Sequence, residues 1–536
     1  MSGIIKYGFL ACFVIAQLST AAQIKKAPKR TEGEGPWEQL IIRGVTVIDG
    51  TLSPPFGPVD VVVEKNKIAA VVKVGNPGLA IDPGKRPVLK PNGKELNAEG
   101  MYLMPGFIDT HVHIGGGEKV PGADYVFKLY MAHGVTTIVE AGCSNGLDWV
   151  LDEKKQSALN EITAPRIKAY TRFGQGSKVP IFTPEQAREW VRNNAKLGAD
   201  GIKFFGETPA LMTAALDENK KLGLRSKMHH SQTYVGDWNV LNSARAGLTS
   251  MEHWYGLPEA MFTDRTVQNY SLDYNYQNEQ DRFGEAGLLW KQAAPPFSEK
   301  WNKVMNELLA LDFTLSPTMI AYLANRGLMA QRRAEWHEEY TLPTLWKYYM
   351  PNRSAHGSYW FSWGTEQEVE WKENFRLWMA FINEYKNRGG RVTVGTDSGF
   401  IFNLYGFSYP NEMELLREAG FHPLEIIKAA TMNGAEVIGE SQNLGSIEIG
   451  KLADLVIVKE NPLMNLQSLY GTGVIKVTAD NQVTRAGGVS YTIKDGIIYD
   501  AKKLLEDVRN MVKEAKAQTG FQLLQPGLYP ADEHQH

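Results

Sequence analysis

The chain has few cysteines, no block of basic residues and no apolar run long enough to cross a bilayer. Its 536 residues include two cysteines and carry a formal net charge of −3. If Cys12 leaves with an N-terminal leader, Cys143 stays alone, so the mature fold must be stable without an internal disulfide. Without a basic cluster, the sequence has no electrostatic footprint for nucleic acid. A large globular protein is the expectation, and 43% hydrophobic residues are ample for its core.

The first 22 residues have the pattern of a signal peptide. A lysine precedes an apolar run over 7–18, which is shorter than the ~20 residues that span a bilayer, and small residues follow at 19–22. We predict that 1–22 are removed, that the protein is exported to the periplasm or secreted, and that no stable membrane span remains. The alternative, a lipoprotein site at Cys12, is disfavoured because the apolar run before it is very short. Residues 23–36 then resemble a flexible leader.

The stretch 104–113 carries two histidines, His111 and His113, within an apolar context typical of a strand buried on both faces. Side chains two positions apart on a strand point the same way, so this pair could bind one metal ion. Taken alone, such a pair is more often structural. The metal interpretation therefore depends on the residues further along the chain.

Further groups of ligand or acid–base type lie at strand-like positions downstream: Lys203, His229, His253 and Asp397. The steps from Lys203 to His229 and from His229 to His253 are 26 and 24 residues, about one strand, loop, helix and loop each. Additional strands are predicted at 134–140, 166–171, 313–317 and 392–397, which brings the count to eight. The pattern predicts an α/β fold, a (β/α)8 TIM barrel with its site at the carboxyl ends of the strands.

Short strands flank this barrel on both sides. The segments 37–100 and 440–500 alternate or run apolar with turns between, and we predict that they meet in one small composite β-sandwich domain. The barrel then occupies 101–439. Residues 501–536 are predicted to form a charged helix and a disordered tail.

Two barrel loops are enlarged, at about 258–300 and 325–388, after strands six and seven. Both are rich in aromatic residues, and many of the 13 tryptophans lie between Trp336 and Trp378. These loops leave the catalytic face of a barrel, so one hypothesis is a lid over the site. The alternative is that the aromatics pack the insertions onto the barrel, and we expect this of most of them.

The six residues in this order resemble the amidohydrolase superfamily, and the resemblance extends over about 40–500. Similar members carry His-x-His on strand one, lysine on strand four, one histidine each on strands five and six, and aspartate on strand eight. The later segments 423–435 and 445–458 also look like that superfamily. Among its members, the chain resembles exported Xaa-Pro dipeptidase-like and imidazolonepropionase-related enzymes.

The resemblance implies two divalent metal ions, and zinc suits imidazole and oxygen ligands. The first ion would be held by His111, His113 and Asp397, the second by His229 and His253, and both by Lys203 after its carboxylation. A hydroxide between the ions would attack the scissile carbonyl, and Asp397 would transfer the proton to the leaving group.

The expected substrate is a small molecule with an amide bond, such as a dipeptide or an N-acyl amino acid. Hydrolysis of a cyclic amide, lactone or other ester is the alternative, because the Gly-rich loop expected of the dipeptidases after strand three is absent. Arg172 could bind a substrate carboxylate, and His230 and Tyr255 are further candidates for substrate contact, although His230 would point away from the side of His229. A non-catalytic barrel is disfavoured because no metal position is lost. A homo-oligomeric assembly is compatible with the sequence.

Overall fold

The computed structural model describes residues 24–351, 356–357, 359–360 and 362–521. The predicted signal peptide and the predicted disordered tail lie outside the described residues, apart from the first residues after the last helix. The described chain has a mixed α/β fold with two eight-stranded sheets and a separate two-stranded hairpin. In the described part of the chain, no helix combines the length and the apolar character needed to cross a membrane.

The strands, in chain order, are β1 (Gln39–Val47), β2 (Phe56–Glu64), β3 (Lys67–Lys73), β4 (Lys94–Asn97), β5 (Tyr102–Pro105), β6 (Phe107–Val112), β7 (Val135–Gly142), β8 (Arg166–Arg172), β9 (Gly201–Phe204), β10 (Arg225–His229), β11 (Ser250–Glu252), β12 (Thr314–Ser316), β13 (Arg391–Val392), β14 (Leu455–Val458), β15 (Val474–Val477), β16 (Val483–Ala486), β17 (Val489–Lys494) and β18 (Ile497–Asp500). The helices are α1 (Ala123–Ala132), α2 (Leu147–Ala158), α3 (Pro184–Leu197), α4 (Pro209–Lys221), α5 (Val240–Arg245), α6 (Leu257–Ala260), α7 (Glu279–Ala286), α8 (Leu289–Gln292), α9 (Glu299–Ala310), α10 (Leu323–Arg332), α11 (His337–Tyr340), α12 (Pro343–Tyr349), α13 (Thr365–Asn387), α14 (Ser408–Glu418), α15 (Pro423–Ala430), α16 (Met432–Val437) and α17 (Ala501–Thr519). Short 3-10 helices cover Pro83–Lys85, Met319–Tyr322 and Leu466–Leu469.

Strands β6 to β13 form a curled parallel sheet, which we call the central sheet, in which each strand lies beside the next one in sequence. Backbone hydrogen bonds also bring its two edges together. Thr110 N donates to Val394 O over 3.0 Å, and Asp397 N donates to His111 O over 2.8 Å. The predicted parallel α/β arrangement is confirmed. The predicted eighth strand is shorter than expected, because only Arg391–Val392 keeps strand pairing with β12 before the chain turns toward β6.

Local sequence signals explain how the helices between these strands begin and end. In α3, Thr183 accepts a hydrogen bond from Gln186 N while the Gln186 side chain accepts one from Thr183 N, so the first turn has a capping box. Pro184 occupies the first helical position, where its missing N–H costs nothing. Gly198 ends the helix in a left-handed conformation that glycine adopts without strain.

The second sheet, which we call the terminal sheet, combines segments from both sides of the central sheet. Its strand order is β18-β17-β14-β5-β1-β2-β3, with β4 also paired to β1. Strand β5 joins the two segments, since it pairs with β1 in parallel and with β14 antiparallel. A hydrophobic cluster of its own packs against this sheet. The predicted meeting of the two terminal segments is thus seen as one sheet, while a two-layer sandwich stays a prediction.

Details of the terminal region differ from expectation. Strand β5 lies beyond residue 100, where the predicted N-terminal segment ends. Strand β15 pairs only with β16 in the described chain, because its side chains are mostly exposed and no core requires it in the sheet. The expected flexible leader is docked: Arg30 Nε donates to Asn160 O over 3.0 Å, and Thr163 Oγ1 donates to Glu32 over 2.7 Å.

The two long insertions form helices rather than open loops. Helices α6 to α8 belong to the first, and α10 to α13 to the second. Trp371 and Trp378 on α13 are fully buried, and the Trp371 ring stacks on Tyr322 with 5.5 Å between ring centres. Most of the aromatic side chains therefore stabilise the insertions by packing, as expected.

Candidate active site

One cavity of about 490 Å³ opens at the carboxyl end of the central sheet. The side chains that line it include all six predicted ligands: His111, His113, Lys203, His229, His253 and Asp397. Each lies at or just beyond the end of its strand, as a parallel sheet with βα connections requires. The structure thus brings together residues that are up to 286 positions apart in sequence, from His111 to Asp397.

Three of these side chains form the tightest group. One ligand atom each from His111, His113 and Asp397 lies within 4.8 Å of the others. Asp397 Oδ1 is 3.6 Å from His111 Nε2 and 3.3 Å from His113 Nε2. Two imidazole nitrogens and a carboxylate oxygen directed at one point are a donor set that a divalent metal ion can use.

The ring of His111 is held by a carboxylate behind it. Its Nδ1 is hydrogen-bonded to Glu252 on β11, and both side chains are buried. Burial disfavours the charged imidazolium, and with the nearby Lys203 ammonium it lowers the pKa of His111 to about 4. Since Nδ1–H donates to the carboxylate, the lone pair is on Nε2, which faces Asp397.

His113 has the opposite electrostatic environment. Burial alone would lower its pKa, but the carboxylates of Asp397 and Glu140 raise the pKa to about 9. Glu140 Oε1 lies 3.8 Å from His113 Nδ1, and the same carboxylate accepts a hydrogen bond from Ile114 N. Glu140 therefore holds the backbone that follows His113 and places a negative charge beside its ring.

Asp397 lies at the centre of the cluster in a rare conformation. Its φ of +49° is in the left-handed region, which few non-glycine residues adopt. Burial would raise its pKa, but the positive charges of His111 and His113, when they are protonated, hold the pKa of Asp397 well below its ordinary value. Its Oδ1 has no hydrogen-bond partner among the described residues.

His253 links this group to His229. Its Nε2 is 3.6 Å from Asp397 Oδ2, and its ring centre is 4.7 Å from that of His229. Burial is the main reason that the pKa of each histidine is lowered well below its ordinary value. Both rings are therefore neutral at neutral pH, as metal ligands must be.

Lys203 on β9 is 1% exposed, and its Nζ has no hydrogen-bond partner in the described chain. Burial is the main cause that lowers the pKa of Lys203 to about 8. A buried amine without an acceptor is costly, so the position is suited to a lysine that is modified or bound to another group. A neutral amine is also the form that reacts with carbon dioxide.

Of the three predicted substrate contacts, one lines the cavity and two lie behind its wall. Arg172 lines the cavity, with its guanidinium 5.4 Å from the centre of the Phe205 ring. His230 and Tyr255 are buried behind the lining residues: His230 Nε2 is hydrogen-bonded to Ser243 Oγ over 2.8 Å, and the Tyr255 ring lies 5.4 Å from that of His229. The geometry brings Arg172 to the cavity and leaves His230 and Tyr255 as support for neighbouring groups.

The prediction from sequence missed the residues that support the ligands and part of the wall. The adjacent pair Glu252-His253 was the one signal for them, because an acid inside an apolar strand needs a partner. Side chains from the insertions also reach the cavity: Tyr276, Arg282, Phe283, His356 and Tyr359. No periodicity marks these residues, since their positions depend on how the insertions fold over the sheet.

Part of the sequence matches a known protein family. Residues 377–498 match the model of the amidohydrolase family. An adenine deaminase of Methanoculleus marisnigri is 25% identical over 175 residues, which make up 31% of this chain and 32% of that protein. The chain thus matches a third or less of the length of the curated relatives.

Solved structures share the fold over most of the chain. A Xaa-Pro dipeptidase with methionine bound in its active site has a TM-score of 0.56 and 18% identity, covering 86% of this chain and 100% of that one. Bottromycin amidohydrolase has a TM-score of 0.60 and 20% identity, covering 90% and 91%. At these identities the likeness concerns the fold. Together with the family match, it confirms the resemblance to the amidohydrolase superfamily.

Proposed function

Starting from the amidohydrolase resemblance, we propose that this protein is a metal-dependent hydrolase that cleaves an amide bond of a small molecule, such as a dipeptide or an N-acyl amino acid. The observation that carries the proposal is the convergence of six ligand-type side chains on one cavity. The family match and the fold neighbours support an enzyme that acts on carbon–nitrogen bonds. The site supports hydrolysis because its side chains could hold metal ions and because Asp397 could act as a base.

The donor atoms fit a pair of divalent metal ions. Asp397 Oδ1 and Lys203 Nζ are buried without hydrogen-bond partners in the described chain, as expected for atoms reserved for another group. We propose His111, His113 and Asp397 for the first ion, His229 and His253 for the second, and carboxylated Lys203 for both. Zinc suits this donor set. Such ions, when bound, polarise a carbonyl and lower the pKa of water.

Asp397 is proposed to transfer the proton during hydrolysis. The low pKa keeps its carboxylate ionised at neutral pH, and Oδ1 faces His111 on strand β6 and His113 just beyond it. As general base, the Asp397 carboxylate takes a proton from the attacking water, and the resulting carboxyl group then protonates the leaving nitrogen. The backbone hydrogen bond from Asp397 N to His111 O holds the carboxylate at this place.

The cavity wall favours a substrate with a carboxylate and an apolar portion. Arg172 and Arg282 contribute positive charge, and Asp397 is the one acidic side chain among the described lining residues. Glu279 already pairs with Arg282 over 2.7 Å, whereas no acidic partner for Arg172 is seen in the described chain. The rings of Phe205, Tyr322 and Phe400 supply apolar surface. Arg172 is therefore our candidate for the carboxylate of a dipeptide or N-acyl amino acid.

A kinetic screen of the purified protein with zinc and bicarbonate tests this function. It should include N-acyl amino acids and dipeptides, the same compounds as carboxamides, lactones, and adenine because of the deaminase match. We expect the free carboxylates to be hydrolysed with the highest kcat/KM. Failure of the metal-replete protein to cleave any amide would contradict the proposal, and faster turnover of lactones would favour the ester alternative.

A matched pair of variants tests the role of Arg172. Arg172→Gln should raise KM for carboxylate substrates by about 10- to 150-fold, since a hydrogen bond to a charged group contributes about 1.5–3 kcal/mol. It should leave the KM of carboxamides unchanged. Lys178→Gln removes a charge from the exposed loop after the same strand and serves as control. Equal effects of the two variants would show that Arg172 acts only through overall charge.

We further propose that the protein is exported, that its central sheet is a closed (β/α)8 barrel, and that the terminal sheet belongs to a composite β-sandwich. The N-terminal pattern at 1–22 supports export, and the hydrogen bonds between the sheet edges support closure. The mass of the mature protein recovered from a secretion-competent host tests cleavage near residue 22. Retention of the full-length chain in the cytoplasm would contradict export.

A further inference from the structure

We infer that Thr318 and Glu412, which do not line the cavity, are positioning residues that fix the His253 ring for metal binding. The inference rests on the proposed function, because it concerns a ligand of the proposed second metal ion. Thr318 follows strand β12 and is fully buried. Its φ is +50° and its ψ is 43°, in the left-handed region. A β-branched residue is rarely found there, so this conformation needs a compensating reason.

The hydrogen bonds of the Thr318 hydroxyl supply that reason. Its Oγ1 donates to Pro317 O over 2.6 Å and is 2.5 Å from His253 Nδ1. A hydroxyl has one proton, and here the carbonyl takes it, so Thr318 can only accept a hydrogen bond from His253. Nδ1 must then carry the ring proton. The lone pair of His253 is left on Nε2, which faces Asp397 Oδ2 over 3.6 Å.

Glu412 on α14 holds the backbone that follows Thr318. It is 0% exposed, and its two oxygens accept hydrogen bonds from Met319 N over 3.0 Å and from Ile320 N over 2.7 Å. No cation pairs with this carboxyl group in the described chain, so the two backbone amides are its main stabilising partners. Loss of these two hydrogen bonds would free the first turn of Met319–Tyr322 and let Thr318 relax to an ordinary conformation.

The orientation of His253 therefore depends on Thr318, and that of Thr318 depends on Glu412. Glu412 fixes the turn, the turn fixes the strained Thr318, and the Thr318 hydroxyl fixes the ring proton and the orientation of His253. Groups that orient a ligand in this way typically change metal affinity by about 10–100-fold when they are lost. The strain at Thr318 is then tolerated because Glu412 and Pro317 stabilise it from both sides.

The test begins with three hydroxyl variants of the full chain. Thr318→Val keeps the β-branched shape and removes the hydroxyl, while Thr318→Ser keeps the hydroxyl. Thr492→Val is the matched control, since Thr492 on β17 is equally buried and its Oγ1 donates to Met131 O on α1 over 2.5 Å. Zinc titration of the metal-free proteins should show about 10–100-fold weaker binding at one site for Thr318→Val only. Binding equal to the parent would overturn the inference.

A double variant tests whether Glu412 acts through Thr318. Glu412→Gln keeps one acceptor and should weaken the same zinc site to a smaller extent. When Glu412→Gln is added to Thr318→Val, zinc affinity should fall no further, because both substitutions remove the same support of the His253 ring. Additive losses would show that Glu412 has a separate role, and would overturn the proposed dependence.

A measurement without metal separates this inference from the proposed function. In protein labelled with 15N-histidine, the shifts of the His253 ring report which nitrogen carries the proton, and His253→Gln identifies the signal. We expect the proton on Nδ1 in the parent and in Thr318→Ser, and a mixed state in Thr318→Val. A proton on Nε2 in the parent would overturn the positioning role. Failure of the parent to bind zinc, with the proton on Nδ1, would instead contradict the proposed function alone.

Discussion

Buried charged groups are treated differently in the central and terminal sheets. In the terminal sheet, the buried Asp60 accepts a hydrogen bond from Arg43 over 2.8 Å and another from Gly44 N over 2.8 Å. At the carboxyl end of the central sheet, the buried Nζ of Lys203 has no such partner in the described chain. A protein that satisfies one buried charge and leaves another unsatisfied has a use for the second.

The backbone shows the same contrast. Left-handed residues of the terminal sheet, such as Lys65 and Asp495, occupy the tight turns between adjacent strands, where local geometry requires them. Three left-handed residues lie in or beside the candidate site: His253 directly follows β11, Thr318 lies two residues after β12, and Asp397 lies five residues after β13. Local sequence does not account for their strain, and the tertiary contacts around the cavity do.

The largest effect is expected for Lys203→Ala. Removal of the bridging ligand should abolish nearly all hydrolysis and release at least one metal ion per chain. The metal-free variant should nevertheless be as stable as the metal-free parent, because the Nζ makes no hydrogen bond that could be lost. Metal analysis and urea unfolding measure the two effects. One tightly bound metal in fully active parent enzyme would contradict the two-metal site, and a large loss of stability would show that Lys203 is structural.

A smaller effect is expected for Asp397→Asn, which keeps the size of the side chain and one oxygen. The amide cannot act as a base, so kcat should fall by roughly 10² or more. Folding should persist, since the backbone bond from residue 397 to His111 O does not depend on the side chain. Steady-state kinetics at saturating zinc is the measurement. Activity within a factor of a few of the parent would exclude the proton-transfer role.

The candidate ligands could be predicted from the sequence because they lie at or beyond the ends of strands. A strand has a fixed side-chain period, and His111, His113 and Lys203 each lie at the end of an apolar run, so together with the later candidates they form a recognisable pattern. Thr318 and Glu412 could not be recognised in this way. Glu412 holds the turn that follows Thr318 through hydrogen bonds between residues 92 and 93 positions apart. The sequence therefore predicted the candidate ligands that line the cavity, and not the groups that contact them from behind.

The fold shows the same limit. The βα period predicted the central sheet, whereas the pairing of β5 with both terminal segments depends on a sheet assembled from distant parts of the chain. The segment before residue 36 looks flexible by composition, yet Glu32 finds partners on α1 and beside β8. Composition indicates whether a segment can form a core of its own, but it does not indicate which surface of the folded protein the segment packs against.

The charge pair of the terminal sheet gives a stability prediction. Asp60→Ala should lower the free energy of unfolding by about 3 kcal/mol, because the largely buried Arg43 loses its fully buried acidic partner and Gly44 N loses its acceptor. Glu95 contacts the same arginine but is about half exposed. Glu95→Ala is thus the control, with a loss of about 1 kcal/mol or less. Urea unfolding of metal-free protein compares them, and equal losses would contradict the role of burial.

The smallest effect concerns the docked leader and its dependence on pH. Burial would raise the pKa of Glu32, but hydrogen bonds from Lys128 and Thr163 lower it to about 2, against 4.5 for a free glutamate. A folded-state pKa below the unfolded value means that the contribution is complete above about pH 4.5 and is lost as the pH falls toward 2. Since the carboxylate is partly exposed, we expect about 1 kcal/mol at neutral pH.

The comparison of parent and Glu32→Gln isolates this contribution, because the other titrating groups are common to both proteins. Free energies of unfolding at pH 7 and at pH 3.5, measured without metal, should differ between parent and variant by less at the lower pH. Lys128→Gln should reproduce the neutral-pH loss and, because Lys128 also pairs with Asp507 over 2.8 Å, exceed it. A difference that grows as the pH falls would show that Glu32 is stabilised in its protonated form. The leader would then dock through the neutral hydrogen bond with Thr163 rather than through charge.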